Sequence, residues 1–144
     1  MSSTQTTEVF NCSIEEFFRV ISDYESYPEF LQEVNNCKLI EQRGDKKLVE
    51  YTVHLIKSFK YRLWMDESER PNRLTWSLDS GDLFKISNGF WDLKEEAGKV
   101  RATYGVEAKF KVFVPGAVAK ALVNVNLPTM MSAYHKRISE LYGK

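Results

Sequence analysis

Residues 100–110, VRATYGVEAKF, restrict the fold of this chain more than any other stretch. Apolar side chains recur at every second position, and the positions between them include Arg101, Glu107 and Lys109. Successive side chains of a β-strand point to opposite faces, so this pattern predicts a long antiparallel strand with one dry face and one wet face. A sheet made of such strands needs a second element to cover its apolar face.

Shorter alternating runs, separated by turn signals such as Gly44 and Pro71, precede this strand. With residues 100–110 they predict a sheet of about seven antiparallel strands. The runs are residues 4–11, 37–42, 47–56, 59–67, 74–78 and 84–95.

Two short helices are predicted directly after the first strand. Ser13 and Glu16 have the spacing of a capping box, and apolar residues follow at helical spacing, which predicts a helix over residues 14–22. The residue before a proline resists the helical conformation, so Pro28 is expected to interrupt the helix and to begin a second one over residues 28–32.

The segment SDYESYPEFLQEV, residues 22–34, concentrates aromatic side chains between the first helix and the second strand. Such a cluster either fills a core or surrounds an opening. We expect Phe30 and Leu31 to point inward as a partial plug, and Tyr24 and Tyr27 to form the rim of a cavity.

A helix is predicted over residues 117–142, with an apolar stripe of Met131, Tyr134, Ile138 and Leu141. Pro128 is expected to kink it or to start a second helix. A continuous helix of this length measures about 39 Å, enough to cross the face of a sheet. The predicted fold class is therefore α+β, with a curved antiparallel sheet wrapped round a long C-terminal helix.

Length and charge narrow the classes of function. The 144 residues fit a single domain, 1–144, and the formal net charge of zero argues against a specific nucleic-acid surface. No secretory signal and no membrane-spanning run is visible, which predicts a cytoplasmic protein. Cys12 and Cys37 are predicted to be two free thiols.

The residue types needed for catalysis or metal binding are sparse. His54 and His135 are the only histidines, and each falls on the polar side of its predicted element, where an exposed role is expected. No nucleophile is paired with a base, and the cysteines and histidines lack metal-ligand spacing. We therefore predict no catalytic residues and no metal site.

A sheet that grips a helix leaves space between the two, and such gaps are preferred sites for apolar ligands. Buried tyrosine hydroxyls need partners and are suited to orient the polar group of a ligand. The alternative is that the same side chains simply pack together as core. The candidate ligand-binding residues are Tyr27, Phe30, Tyr51, Val53, Tyr61, Leu63, Trp76, Trp91, Tyr104, Val106, Val123, Leu127, Met130, Met131 and Tyr134.

Four motifs give the chain a resemblance to a known superfamily: YPEFLQEV, FKYRLWMDESERPNRLTWSL, LFKISNGFWDL and MMSAYHKRISELYGK. Their order resembles the helix-grip, START-like (Bet v 1-like) superfamily, in particular its polyketide cyclase and coenzyme Q-binding START-domain branch and the related ribosome-association toxin family. Departures from the coenzyme Q-binding pattern are Gln32 in place of a second proline, Asp82-Leu83 in place of Gly-Pro, and Leu93 in place of an aromatic residue.

The resemblance implies a START-like domain that binds or carries a hydrophobic small molecule (quinone-, lipid- or polyketide-like) and needs no cofactor. An enzyme of the polyketide cyclase or aromatase type is the first alternative, since such enzymes act largely by shaping their substrate. A ribosome- or protein-associating regulator is the second, and a transient membrane contact is a further partner to consider. The basic residues Lys46, Lys47, Lys57, Lys60 and Arg62 would serve ribosome association, but a solvated outer face is the preferred explanation for them.

Overall fold

The computed structural model describes residues 2–54, 57–116 and 127–143, and the strands in these ranges form a seven-stranded antiparallel sheet. The predicted α+β class and the predicted number of strands are confirmed. The strands are β1 Ser2–Phe10, β2 Val34–Arg43, β3 Lys46–His54, β4 Ser58–Asp66, β5 Arg73–Gly81, β6 Phe84–Glu96 and β7 Lys99–Phe110. The helices are α1 Ile14–Ser22, a 3₁₀ helix Tyr24–Glu29 and α2 Leu127–Tyr142.

The strand order is β1-β7-β6-β5-β4-β3-β2, so the first two strands lie at opposite edges of the sheet. The segment with α1 and the 3₁₀ helix connects these edges. Phe17 of α1 packs on Trp91 of β6, with ring centroids 5.2 Å apart, and Tyr134 of α2 packs on the same tryptophan at 5.4 Å. Both helices therefore cover the apolar face, and the helix-grip arrangement is confirmed.

The alternation in β7 is confirmed. Val100, Ala102 and Ala108 are buried, whereas Arg101 and Lys109 on the other face are exposed. This strand pairs with β1 on one side and with β6 on the other, so it does not lie at an edge of the sheet.

Helix α1 has the predicted bounds and the predicted capping box. The Ser13 hydroxyl accepts the Glu16 backbone N–H at 3.1 Å, and the Glu16 carboxylate accepts the Ser13 N–H at 2.9 Å. Two N–H groups that the first turn leaves unpaired are satisfied in this way.

The prediction of a second helix over residues 28–32 is wrong. A 3₁₀ helix occupies Tyr24–Glu29, and Pro28 lies near its end. A short 3₁₀ helix contains few backbone hydrogen bonds, so the missing proline N–H costs little there. Tyr24 and Tyr27 are only 4% and 6% exposed, so the prediction that they form a rim is also wrong.

Helix α2 is described from Leu127 to Tyr142, and the earlier part of the predicted helix, with Val123, lies outside the described residues. Pro128 stands in its first turn, where a missing N–H is harmless. Met131, Tyr134 and Ile138 are buried as predicted. Leu141 is 48% exposed, because the stripe continues to Tyr142, whose hydroxyl donates to the Glu16 carbonyl at 3.4 Å.

The interior consists of two clusters of buried side chains. The main cluster joins α1, the 3₁₀ helix, α2 and one end of the sheet around Phe10, Phe17 and Trp91. The smaller cluster contains Val53, Phe59, Leu83, Phe84 and Ala108.

Cys12 and Cys37 are buried and are not joined by a disulfide. Burial raises the pKa of the Cys37 thiol to about 12. Among the described helices, none is both long enough and apolar enough to cross a membrane.

Candidate functional site

A cavity of about 180 Å³ lies between the sheet and the start of α2. Its wall includes Tyr51 and Trp91 from the main cluster and Val53 and Phe84 from the smaller one, so it occupies the gap between the two clusters. The described residues that line it are Tyr27, Leu31, Glu33, Val34, Tyr51, Val53, Tyr61, Leu63, Met65, Trp76, Leu83, Phe84, Ser87, Trp91, Tyr104, Val106, Ala108, Leu127, Met130 and Tyr134.

The structure brings most of the predicted site residues to this one wall. Their role in ligand binding stays a prediction, but their convergence on a single cavity is a structural fact. The predicted residues found there are Tyr27, Tyr51, Val53, Tyr61, Leu63, Trp76, Trp91, Tyr104, Val106, Leu127, Met130 and Tyr134.

Phe30 and Met131, also predicted to bind ligand, do not line the cavity in this structure. Phe30 packs edge-on against Tyr134, with ring centroids 5.3 Å apart, and the Arg137 guanidinium lies over its other side at 5.1 Å. It borders a groove on the outside of α2 rather than acting as a plug. Met131 is buried in the main cluster, whereas its neighbour Met130 faces the cavity.

Cross-strand pairs hold the aromatic wall in place. Tyr51 of β3 and Tyr61 of β4 are direct partners, and their rings stack 5.2 Å apart at an angle of 7°. Trp91 of β6 and Tyr104 of β7 are likewise partners, at 4.9 Å. Side chains opposite each other on one face of a sheet support one another in this way, so the wall is largely preformed.

Two of the cavity tyrosines use their hydroxyls to hold the protein together. The Tyr27 hydroxyl donates to the backbone carbonyl of Ile21, at the end of α1. The Tyr51 hydroxyl donates to the Met65 sulfur at 3.7 Å, which is a weak bond.

Three other hydroxyls, those of Tyr61, Tyr104 and Tyr134, make no hydrogen bond to another described residue. Every fully buried side-chain oxygen and nitrogen in the described part of the chain does have a partner, so these three oxygens reach open space. That space is the cavity that all three residues line. They are available to bind the polar group of a ligand.

Removal from water raises the pKa of these three tyrosines well above the ordinary value, because burial disfavours the charged phenolate. The carboxylate of Glu33 acts in the same direction on each of them. The hydroxyls therefore remain protonated at neutral pH and offer O–H donors to the cavity.

Sequence reasoning missed two polar residues of the wall. Ser87 faces inward because a bulge between Phe84 and Ile86 shifts the alternation of β6 by one residue, and a single sequence gives no signal for that shift. Glu33 was missed because a carboxylate in a turn is expected to lie in water.

A tight turn places Glu33 at the cavity. The Val34 N–H donates to the Leu31 carbonyl at 3.2 Å, so Gln32 and Glu33 are the two central residues of the turn. Gln32 is exposed, whereas Glu33 is half-buried. Leu31, Glu33 and Met130 line both the cavity and the groove outside α2, so they form the boundary between the two.

A buried ion pair fixes the 3₁₀ helix that carries Tyr27. The Tyr24 hydroxyl donates to the Glu67 carboxylate at 2.6 Å, and Lys47 pairs with the same carboxylate at 3.1 Å. Glu67 is only 4% exposed, and a buried carboxylate without partners would destabilise the fold.

Replacing Tyr24 with phenylalanine is expected to lower the free energy of unfolding by about 1.5–3 kcal/mol, because a hydrogen bond to a charged group is lost. Tyr27→Phe in the same helix is the matched control. It removes a bond to a neutral carbonyl and is expected to cost about 1 kcal/mol. Urea denaturation measures both losses, and a cost for Tyr24→Phe no larger than that of the control would contradict the assignment.

The histidines lie away from the cavity. His54 is exposed as predicted and contacts the Ser58 hydroxyl at 3.2 Å. His135 was expected to be exposed but is half-buried, with its ring 4.4 Å from that of Phe10 and its Nε2 3.0 Å from the Glu8 carboxylate. Within the described ranges, no group of three or more His, Cys, Asp or Glu side chains is placed to hold a metal ion.

Comparisons with solved structures identify the fold. The chain superposes on a START superfamily protein from Mycobacterium smegmatis with a TM-score of 0.82 and 19% identity, over 96% of this chain and 98% of the other. A protein from Thermus thermophilus gives a TM-score of 0.81 and 16% identity, over 98% and 99% of the two chains. The Zhui aromatase/cyclase from a Streptomyces species gives 0.79 and 10%, over 94% and 92%.

Identities this low show a shared fold and nothing finer. A comparison with curated protein sequences gives no match. The family model described as "Polyketide cyclase / dehydrase and lipid transport" matches residues 11–134, which is most of the chain and includes every described residue of the cavity wall. The chain therefore belongs to the polyketide cyclase / dehydrase and lipid transport family of the START-like superfamily.

Proposed function

We propose that this protein binds or carries a hydrophobic small molecule in the cavity between the sheet and α2. The observation that carries the proposal is a preformed aromatic wall with the hydroxyls of Tyr61, Tyr104 and Tyr134 reaching the open space. Ligand pockets typically combine a mostly apolar lining with a few convergent polar groups. Membership of a family that includes lipid transport supports the same conclusion.

The size of the cavity limits what fits. An engineered cavity of about 150 Å³ binds benzene, and this one measures about 180 Å³. In the conformation seen here it accommodates a compact ring system. This favours a quinone head group or an aromatic polyketide over a long acyl chain.

Val106→Trp is expected to fill the cavity and to weaken binding of a neutral fluorescent two-ring probe, aminonaphthalene, by at least about tenfold. Val106 lies on the dry face of β7 and lines the cavity. Lys109→Trp is the matched control, because Lys109 lies exposed on the opposite face of the same strand. Fluorescence titration gives the two dissociation constants.

Native mass spectrometry of the purified protein tests the same proposal without a chosen probe. A co-purifying apolar molecule is expected in the wild type and is expected to be lost in Val106→Trp. A wild-type protein that binds no apolar probe and always purifies empty would overturn the proposed function.

A cyclase or aromatase activity is the second candidate, because the cavity holds the polar groups that such an enzyme needs. Glu33 and the free hydroxyl of Tyr104 supply an acceptor and a donor beside the same space. Incubation with a poly-β-ketone thioester, followed by product analysis, tests this activity. Formation of cyclised product no faster than in buffer would exclude it for that substrate.

Association with a membrane or a ribosome, and the cytoplasmic location, stay predictions from the sequence. Part of the basic run is already neutralised, since Arg62 pairs with Glu50 at 3.0 Å and Lys47 with Glu67. Salt-sensitive co-sedimentation with large ribosomal subunits, or with vesicles, would separate these partners from a small-molecule role.

A further inference from the structure

Glu33 is the one charged side chain among the described residues that line the cavity. No described lysine, arginine or histidine forms an ion pair with it in this structure. The turn from Leu31 to Val34 holds this half-buried side chain at the cavity, so a ligand in the cavity lies beside its charge.

The groove beyond this boundary has the same sign of charge. Glu29 in its wall is neutralised by Arg137 at 3.2 Å. The other charged residues of the groove that the structure describes are Glu33, Glu140 and Lys136, which leaves one net negative charge. The boundary between the cavity and the groove is therefore negatively charged.

The hydrogen-bonding chemistry of the Glu33 carboxylate and of the tyrosine hydroxyls determines which ligand groups fit the cavity. A carboxylate only accepts hydrogen bonds, whereas a tyrosine hydroxyl both donates and accepts. A ligand hydroxyl or amine has a proton to donate to Glu33 and a lone pair to accept from a tyrosine hydroxyl of the same cavity. A ligand carboxylate has no proton for Glu33 and is repelled by its charge.

We propose that Glu33 makes the cavity selective for aromatic ligands that carry an O–H or N–H donor and no negative charge, and that it excludes anionic ligands such as carboxylates. This inference rests on the proposed function, since it names the class of ligand that the same cavity takes. It separates hydroxylated or amino-substituted ring systems from free fatty acids and other carboxylates of similar apolar surface.

Competition against aminonaphthalene at neutral pH tests the inference with three probes of one shape: naphthalene, naphthol and naphthoate. The wild type is expected to bind naphthol more tightly than naphthalene, and naphthoate at least about tenfold more weakly than naphthol. Glu33→Gln removes the charge and keeps an acceptor. It is expected to bind naphthoate at least about tenfold more tightly than the wild type does, with naphthol little changed.

Glu95→Gln is the matched control, because it makes the same change of net charge at an exposed residue of the β6–β7 hairpin that lines neither the cavity nor the groove. It should leave the order of the three probes as in the wild type. If Glu33→Gln does not fold, Glu33→Ser takes its place, and the order of probes on the wild type already decides the first half of the inference.

The possible outcomes distinguish failure of this inference from failure of the proposed function on which it rests. Failure of the wild type to bind aminonaphthalene would overturn the proposed function and the inference together. Binding of that probe with equal displacement by naphthol and naphthoate would overturn the selectivity alone. A preference for naphthol over naphthoate that is unchanged in Glu33→Gln would show that Glu33 is not the source of that preference.

Discussion

Raising the pH to about 11 is expected to unfold this protein, because four tyrosines are buried in their protonated form. Tyr24, Tyr27, Tyr51 and Tyr134 are between 3% and 6% exposed. Burial raises the pKa of each hydroxyl well above the value of 10.0 that an unfolded chain has. For Tyr24 the neighbouring Glu67 carboxylate adds to this effect.

The sign of the pH dependence follows from these raised pKa values. Below pH 10 both states hold the phenolic protons, so the tyrosines do not affect stability. Above it the unfolded chain releases protons that the folded chain keeps, so the free energy of unfolding falls as pH rises. Each such tyrosine removes about 1.4 kcal/mol at pH 11, and the four together about 6 kcal/mol.

A loss of this size is comparable to the whole stability of a typical domain, roughly 5–15 kcal/mol. The Cys37 thiol acts in the same direction from a lower pH, since its pKa is raised to about 12 in the folded protein. Tyr61 and Tyr104 add to the effect as long as the cavity excludes bulk water. Cooperative unfolding is therefore expected within about one pH unit above 10.

Circular dichroism and phenolate absorbance, followed together during an alkaline titration, measure this transition. Both signals should change at one midpoint. Tyr134→Phe removes one ionisable group whose hydroxyl makes no hydrogen bond to another described residue, and it should raise stability at pH 11 by about 1.4 kcal/mol relative to the wild type. Phenolate absorbance that develops near pH 10 while the dichroism stays native would contradict the burial of these hydroxyls.

The strands and the capping box were predictable because each rests on local chemistry. The apolar side chains of Val100, Ala102 and Ala108 share one face only if residues 100–110 form a β-strand, and the structure has a strand there. The pairing of Ser13 with Glu16 likewise needs no information from distant residues. Patterns that are satisfied within one element are visible in one sequence.

Features that depend on a neighbouring element were not predictable. The bulge that turns Ser87 inward arises from the pairing of β6 with β7. The 3₁₀ helix begins at Tyr24 rather than Pro28, and its first tyrosine binds Glu67, which lies 43 residues further along the chain. In both cases a tertiary contact, not local propensity, selects the conformation.

The apolar strand residues that line the cavity were predictable from the sequence, but the position of Glu33 was not. Tyr51, Tyr61 and Tyr104 were assigned to it because they lie on the dry faces of their strands. Glu33 was not, because polarity alone places a glutamate in water, and only the turn closed by Leu31 and Val34 brings it to the cavity. The residue that we propose to set selectivity is thus one that hydrophobic periodicity is unable to detect.

Phe17→Ala is expected to lower the free energy of unfolding by about 3–5 kcal/mol. Phe17 is completely buried, and its ring lies 4.6 Å from Phe10, 5.2 Å from Trp91 and 6.0 Å from Tyr134. It therefore joins α1 to β1, β6 and α2 at one point. Three separate elements hold the surrounding side chains, so they have little freedom to collapse into the space that the ring leaves.

Phe113→Ala is the matched control, because the same substitution is made at a side chain that is 91% exposed and is expected to change stability by less than about 0.5 kcal/mol. In thermal unfolding, Phe17→Ala should melt about 10 °C below the wild type. The control should show no shift. Trp91 and Tyr134 also form the cavity wall, so Phe17→Ala should weaken probe binding as well. A loss of stability below about 1.5 kcal/mol, less than the stabilisation that burial of an aromatic ring normally provides, would show that α1 is not part of the support that shapes the cavity.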